Sequence, residues 1–383
     1  MKIIKYLTLF LLSIIYCSCS QKAENDKIDK VENNVTCKGQ HYNIYERMKF
    51  YKVPSISIAV INDGKIEWAK AYGLADLESK KNADINTLYQ AASISKSINA
   101  LCIMKLVEEG KLSLDTDIRK YLKTWTLPDN EFSKDKTITL RSLLSHSAGM
   151  DVHGFAGYTI NDSIPSINEI LDGKLPANNN AIRAFINPNT KVEYSGGGIV
   201  ITRKIIEDNI NSNYDKLLND LVFVPLKMTN STFTLSPKTT KYNLATGYDT
   251  IAKEILGKYH LYPEKSPDGL WSTPTDLAKF ILSVQQSLKT NSSFLNTKIA
   301  NEMLSPVLDS SKAALGCFIE TYGGEKYFCH GGSNEGFNCC YYGSFSNGVG
   351  VVIMANSDNS DLIYEILEGV ASVYGWKEFV IPE

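Results

Sequence analysis

Tyr89-Gln90-Ala91-Ala92-Ser93-Ile94-Ser95-Lys96-Ser97 is the stretch on which the fold turns. From Ser93 to Gly110 the apolar residues Ile94, Ile98, Leu101, Cys102 and Leu106, with the Lys105 stem, recur at helical spacing on one side, and Gly110 is a natural stop. Residues three apart share a helix face, so the spacing predicts that Ser93 and Lys96 meet at a helix start. A serine hydroxyl is a poor nucleophile until a neighbouring base takes its proton. Lysine can be that base only when neutral, so from an ordinary pKa near 10.4 it must fall by about 3 units, near 4 kcal/mol. Burial and nearby positive charge supply such a shift. The same spacing recurs at Ser133-Lys134-Asp135-Lys136, but that segment lies in the charged stretch Asp129 to Lys136, and it reads as a solvated loop and a chance match.

Upstream, Ser55 to Val60 alternates polar and apolar residues, Asn62-Asp63-Gly64 is turn chemistry, and Lys65 to Tyr72 resumes as a second run, which describes a β-hairpin. Downstream, Val200 to Asp208, Tyr214 to Leu221 and Pro274 to Ser287 are helical stretches separated by Asn, Ser and Pro breaks. Short β-like runs follow at Leu315 to Thr321, Lys326 to His330, Asn338 to Ser344 and Val349 to Ala355, and Asp361 to Tyr374 is again helical. Strands at both ends of the chain imply one antiparallel sheet assembled from distant parts. The expected class is α+β, an antiparallel β-sheet flanked by helices with a mostly helical inserted subdomain. The folded domain is placed at 41–383, its α/β part at about 41–145 and 306–383, and the helical insertion at about 146–305.

The chain has 383 residues, 43% hydrophobic and 21% charged, a globular composition and not a disordered one. Forty Lys+Arg against 42 Asp+Glu leave a net charge of −2, with no basic excess for a nucleic-acid partner. Lys2 and Lys5 precede an apolar run from Tyr6 to Tyr16, then Cys17, Ser18 and Cys19, and Gln21 to Lys30 is abruptly polar. That is a secretory leader layout, and the run is too short for a spanning helix of about 20 residues. It resembles a bacterial lipoprotein signal, with 1–18 as leader, Cys19 as the lipidated residue and 19–40 as a flexible tether, although Tyr16 and Cys17 stand where that signal prefers an aliphatic and a small residue. Ordinary secretion or an uncleaved anchor are the alternatives. The implied location is a bacterial periplasm or outer membrane, with membrane contact only through the N-terminal lipid. Cys37, Cys102, Cys317, Cys329, Cys339 and Cys340 remain; export permits disulfides, but without any CxxC pair the plainer reading is buried or free thiols.

There is no GxSxG, HExxH or Walker-A pattern, and the five histidines are dispersed, so neither a metal nor another cofactor is expected. Four blocks do occur in order. They are 89–97, already quoted; Leu140-Arg141-Ser142-Leu143-Leu144-Ser145-His146-Ser147-Ala148-Gly149-Met150; Gly269-Leu270-Trp271-Ser272-Thr273-Pro274-Thr275-Asp276-Leu277-Ala278; and His330-Gly331-Gly332-Ser333-Asn334-Glu335-Gly336-Phe337. Together they resemble the serine β-lactamase-related family of class C β-lactamases, D,D-peptidases and esterases, over about Pro54 to Ala371.

The resemblance implies Ser93 as the acylated nucleophile and Lys96 as its general-base partner. Tyr194, in Tyr194-Ser195-Gly196, is similar to the tyrosine of the family's YxN motif, which shares proton transfer with that lysine. His330-Gly331-Gly332 is similar to the KTG strand motif in a His-x-Gly form, and the backbone amides of Ser93 and Ser333 would make an oxyanion hole. Gly196 replaces the motif's Asn and no KTG exists. Ser357-Asp358-Asn359 follows the last predicted strand, out of order for an SDN motif, and reads as a turn. His146 reads as structural. The implied function is an exported serine hydrolase acting through an acyl-enzyme on Ser93, D,D-peptidase- or esterase-like, on a small-molecule or short-peptide substrate. A class C-like β-lactamase and a noncatalytic module binding peptidoglycan fragments are the alternatives, and the oligomeric state is left open.

Overall fold

A two-residue turn, Asp63-Gly64, with φ of +51° and +69°, joins the first two long strands. Positive φ at both positions matches the twist of a tight hairpin and suits an Asp-Gly pair. In the computed structural model, which describes residues 24–210, 212–236, 242–291, 294–309 and 311–381, this hairpin supplies two adjacent strands of the main sheet. The elements in order are α1 (24–32), β1 (Val35–Cys37), β2 (Gln40–Tyr42), α2 (Ile44–Tyr51), β3 (Ser55–Asn62), β4 (Lys65–Asp76), β5 (Lys81–Asn82), β6 (Thr87–Gln90) and α3 (Ser95–Glu108). There follow α4 (Leu140–Leu144), α5 (Ile167–Asp172), α6 (Gly196–Asn209), α7 (Tyr214–Leu218), β7 (Asn243–Leu244), β8 (Trp271–Ser272), α8 (Pro274–Lys289) and α9 (Thr297–Met303). The chain closes with β9 (Phe318–Tyr322), β10 (Glu325–Asn334), β11 (Phe337–Ser344), β12 (Gly350–Ala355) and α10 (Asp361–Val373).

The main sheet has seven strands in the order β5-β4-β3-β12-β11-β10-β9, every pair antiparallel. The α+β class is as the sequence implies, and β3 pairs with β12 across nearly the whole chain, Val60 opposite Val351. Strand alternation divides the core. Ile56, Ile58, Val60, Val351 and Ile353 face α10 and α2, whereas Ala59, Ile61, Val352 and Met354 face α8 and the larger core around α3.

Three expectations change. Residues 24–40 are not a flexible tether: 24–32 are helical, and Val31 and Val35, 1% and 0% exposed, pack into the core under α10. Asn34 fits against Gly369, where a Cβ would lie 2.3 Å from the Asn34 carbonyl oxygen. Two valines among charged neighbours were too sparse a signal for a docked segment. The leader 1–18 and Cys19 lie outside the described residues. The helical insertion is also narrower than 146–305, because α8 lies on the main sheet against β3 and β12. Finally, α3 is not one-sided but buried all round, with Ser95, Lys96, Ser97 and Asn99 inside.

Buried polar groups need partners, and α3 has them. Ser95 Oγ donates to the Ala92 carbonyl (2.5 Å) and accepts from Leu270 N–H (2.9 Å). Ser97 Oγ donates to the Gly316 carbonyl at 2.6 Å, and Asn99 joins Thr202 and Tyr214. The helix that carries the site is thus fixed on every side.

Candidate active site

Ser93 stands in a single 3₁₀ turn, Ala92–Ile94, that feeds α3. Ala92 just before it has φ +44° and is fully buried, a conformation an L-residue adopts only under the constraint of its surroundings. Strand pairing explains what lies opposite. Gln90 pairs with Trp271 in the antiparallel β6–β8 ladder, and Ala91 N–H donates to the Leu270 carbonyl. Ser93 is three residues beyond Gln90 and Asp268 three before Trp271, so the two meet: Ser93 Oγ donates to Asp268 Oδ1 at 3.0 Å.

Lys96, 0% exposed, spends its three ammonium protons on Ser93 Oγ (2.9 Å), the Pro267 carbonyl (3.0 Å) and Asp268 Oδ1 (3.2 Å). Burial pushes its pKa down, but the Asp268 carboxylate and Tyr194 outweigh burial and the net direction is up. This corrects the expectation of a lysine already depressed in the resting protein: a carboxylate 172 residues away holds it charged. Asp268 is the residue of the candidate site that the sequence reading missed. It directly precedes the block 269–278, but nothing in its type or spacing marks it as the partner of Lys96.

Tyr194 ends the segment leading into α6, whose N-cap is Ser195. Its ring centroid lies 5.0 Å from Lys96 Nζ, with the tilted rings of His146 at 4.3 Å and His153 at 4.8 Å and that of His330 at 6.1 Å. His146 Nδ1 accepts from Ser195 N–H at 3.1 Å, which requires the unprotonated nitrogen there, and burial holds its pKa well below the ordinary range. Its contacts thus include the Ser195 amide and the Tyr194 ring. Gly196 is closely packed: a Cβ would meet Phe155 Cε2 at 3.0 Å and the His153 carbonyl at 3.1 Å, so a side chain there would crowd residues 153–155.

The opposite wall is β10. A Cβ at Gly332 would lie 2.6 Å from the Ala91 carbonyl, 2.7 Å from Cys339 Sγ and 3.1 Å from Ala92 Cβ, so glycine lets the strand approach the turn that carries Ser93. Asn334 Nδ2 donates to Gln90 Oε1 (2.8 Å) and to the Asp268 carbonyl (3.1 Å), tying strand, turn and Asp268 together. His330 is buried, with Nδ1 2.5 Å from the Gly331 carbonyl; burial, then Lys96, lower its pKa to about 4. A carbonyl only accepts, so Nδ1 carries the proton and Nε2 the lone pair. Nε2 is buried without a partner.

Ser93, Tyr194, Asp268, His330, Gly332 and Ser333 all line one cavity of about 520 Å³. The structure therefore gathers Ser93, Lys96, Tyr194, His330, Gly332 and Ser333, drawn from three distant parts of the sequence. Ser357-Asp358-Asn359 forms a bend after β12 that holds the β10–β11 turn, with Asp358 Oδ1 accepting from Gly336 N–H at 2.6 Å. Ser133 sits in a turn as expected, but is buried and bonded to the Pro128 carbonyl. All six cysteines among the described residues are free thiols, five of them buried.

Comparison with known proteins identifies the family and the fold. A family model described as Beta-lactamase matches residues 43–368. The protein Flp of Staphylococcus aureus (strain MRSA252) is 27% identical over 341 residues, 82% of this chain and 62% of its own length, so the chain spans about three fifths of that relative. The teichoic acid D-alanine hydrolase of the same strain is 26% identical over 74% of this chain and 65% of its own. Among solved structures, an octameric penicillin-binding protein homologue from Pyrococcus abyssi superposes with a TM-score of 0.69 at 24% identity, covering 88% of this chain and 76% of that one. The D-amino acid amidase of Ochrobactrum anthropi SV3, complexed with D-phenylalanine, superposes with a TM-score of 0.72 at 20% identity, covering 91% and 99%. At these identities the two superpositions show the shared fold.

Proposed function

The chain belongs to the beta-lactamase family, a family of hydrolases on one α+β fold, and from that premise we propose that it forms an acyl-enzyme on Ser93 and hydrolyses small ester or peptide substrates. The observation that carries this reading is the 2.9 Å contact between Lys96 Nζ and Ser93 Oγ beside a cavity that Tyr194 also lines. Ser93 Oγ attacks the carbonyl carbon as Lys96, in its neutral form, takes the hydroxyl proton. The carbonyl π pair moves to oxygen, where the amides of Ser93 and Ser333 stabilise it. Collapse expels the leaving group, which takes the proton back through Lys96 and Tyr194. Water then attacks the acyl carbon by the same route and frees Ser93.

The hydrolase names of the two relatives, one acting on D-alanine of teichoic acid and one on D-amino acid amides, support acyl transfer to water as the reaction. His330 in place of a cationic lysine favours a peptidase- or esterase-like enzyme over a dedicated β-lactamase. The test is labelling by a fluorophosphonate or fluorescent penicillin, together with turnover of short-chain p-nitrophenyl esters, D-Ala-D-Ala peptides and nitrocefin. Ser93→Ala should abolish labelling and turnover; labelling equal to wild type rejects the reading. Export with a lipid on Cys19 is proposed on the leader layout alone. Detergent-phase partitioning should be lost in Cys19→Ala.

A further inference from the structure

Two residues that line the catalytic cavity carry buried hydrogen-bond acceptors without donors. Asp268, 5% exposed, uses Oδ1 for Ser93 and Lys96 while Oδ2 is unpartnered; His330, 4% exposed, has Nε2 unpartnered. Both residues line the cavity, and no lysine or arginine is among the residues that line it. Lys96 behind the wall has all three protons engaged. A buried acceptor left unmade is costly, and a charged donor satisfies it best. The site is thus complementary to a donor-bearing cation and hostile to a carboxylate.

We propose that this cavity selects acyl donors with a free α-ammonium, aminoacyl esters or amides, by seating the ammonium on Asp268 Oδ2 while His330 Nε2 accepts a further N–H or O–H of the substrate. The proposal rests on the acyl-enzyme reading above. Position follows from covalent structure. The α-nitrogen is one carbon removed from the carbonyl that Ser93 attacks, and Ser93 Oγ already touches the other oxygen of the same carboxylate at 3.0 Å. Seating a cation there has a second effect. Lys96 is held protonated chiefly by Asp268, so a substrate ammonium sharing that carboxylate loosens the Lys96 proton, which leaves to solvent, and yields the neutral amine that accepts the Ser93 proton. The substrate then contributes to kcat as well as to binding.

The experiment compares alanyl p-nitroanilide with its N-acetyl derivative, in D and L arms, and with a dipeptide ending in a free carboxylate. A charge-assisted hydrogen bond of this kind predicts a preference in kcat/KM of about 10- to 100-fold for the free amine. It should shrink to within about 3-fold in Asp268→Asn, with the advantage of the free amine over the acetylated substrate lost in kcat as well as in KM. Equal turnover of the acetylated substrate by wild type, a preference for the carboxylate-ended dipeptide, or a preference that survives Asp268→Asn overturns the proposal. Calorimetry on Ser93→Ala gives a reading without turnover: alaninamide should bind about 10-fold or more tightly than N-acetylalaninamide, and equal binding again overturns it. If alaninamide binds selectively but no covalent adduct on Ser93 is found by intact mass, the acyl-enzyme reading fails and the recognition stands.

Discussion

Lys96 Nζ and Asp268 Oδ1 lie 3.2 Å apart, a buried ion pair that also holds the hydroxyl of Ser93 between its two partners. Its consequence is a pH profile. With Asp268 in place the Lys96 pKa is raised, so on a neutral p-nitrophenyl ester kcat/KM should still be climbing at alkaline pH. Asp268→Asn removes the negative charge and leaves burial, which disfavours the ammonium, so the acid limb should move to lower pH. A limb that stays in place or moves up contradicts the pairing.

Tyr194 has a role separable from its packing. Tyr194→Phe keeps the ring between His146 and His153 but deletes the hydroxyl. Turnover should fall about 10²- to 10⁴-fold, the usual span for a lost proton-transfer group. Thermal melting should confirm an intact fold, with a midpoint close to wild type.

The two glycines of β10 should behave differently. Gly332→Ala drives a Cβ into the Ala91 carbonyl and Cys339 Sγ, whereas the nearest atoms to a Cβ at Gly331 are at 3.8 and 3.9 Å. Overpacking predicts a loss of about 1–3 kcal/mol for Gly332→Ala, and displaced oxyanion donors a fall of about 10²- to 10³-fold in kcat. Gly331→Ala should stay within about 0.5 kcal/mol of wild type. Urea titration and steady-state kinetics check both.

His330 makes stability depend on acid. Its folded pKa of about 4 lies below the ordinary 6.5, so between those values the unfolded chain binds the extra proton. Stability should therefore fall as pH drops from about 6.5 to 4, by about 3 kcal/mol for this residue. His146 acts in the same direction. Urea titrations at pH 7.5 and 4.5 should show a smaller difference in His330→Gln than in wild type.

Far from the cavity, Arg47 Nε on α2 donates to Glu365 Oε2 on α10 at 2.7 Å, and Tyr51 Oη donates to Glu365 Oε1 at 2.7 Å, all in a largely buried setting. Removing one partner leaves a buried charge alone. Glu365→Ala should lose about 3–5 kcal/mol of stability by urea titration. At a temperature where the variant stays folded, kcat should be unchanged.

The local chemistry was legible where it depends on neighbours along the chain. Asp63-Gly64 announced the hairpin, the Ser93–Lys96 spacing announced their contact, and the first and last of the ordered blocks carry Ser93 and residues 330–333 of the cavity lining. What escaped was set by neighbours in space. The burial of α3 on every side could not be seen in a helix carrying Ser95, Lys96, Ser97 and Asn99, because each has a partner remote in sequence, Leu270 N–H for Ser95 and Pro267 and Asp268 for Lys96 among them. Val31 and Val35 looked incidental until α10 covered them.

By itself the sequence determined the α+β class and the contact between Ser93 and Lys96, which are written in periodicity and spacing, and the resemblance of its ordered blocks marked Tyr194 and the His330 strand as candidates to face them. Only the tertiary structure decided the charge of that lysine and the polarity of the cavity. Electrostatics acts through space, and the β6–β8 register brings Asp268 to within hydrogen-bonding distance of Ser93 and Lys96 from more than 170 residues away.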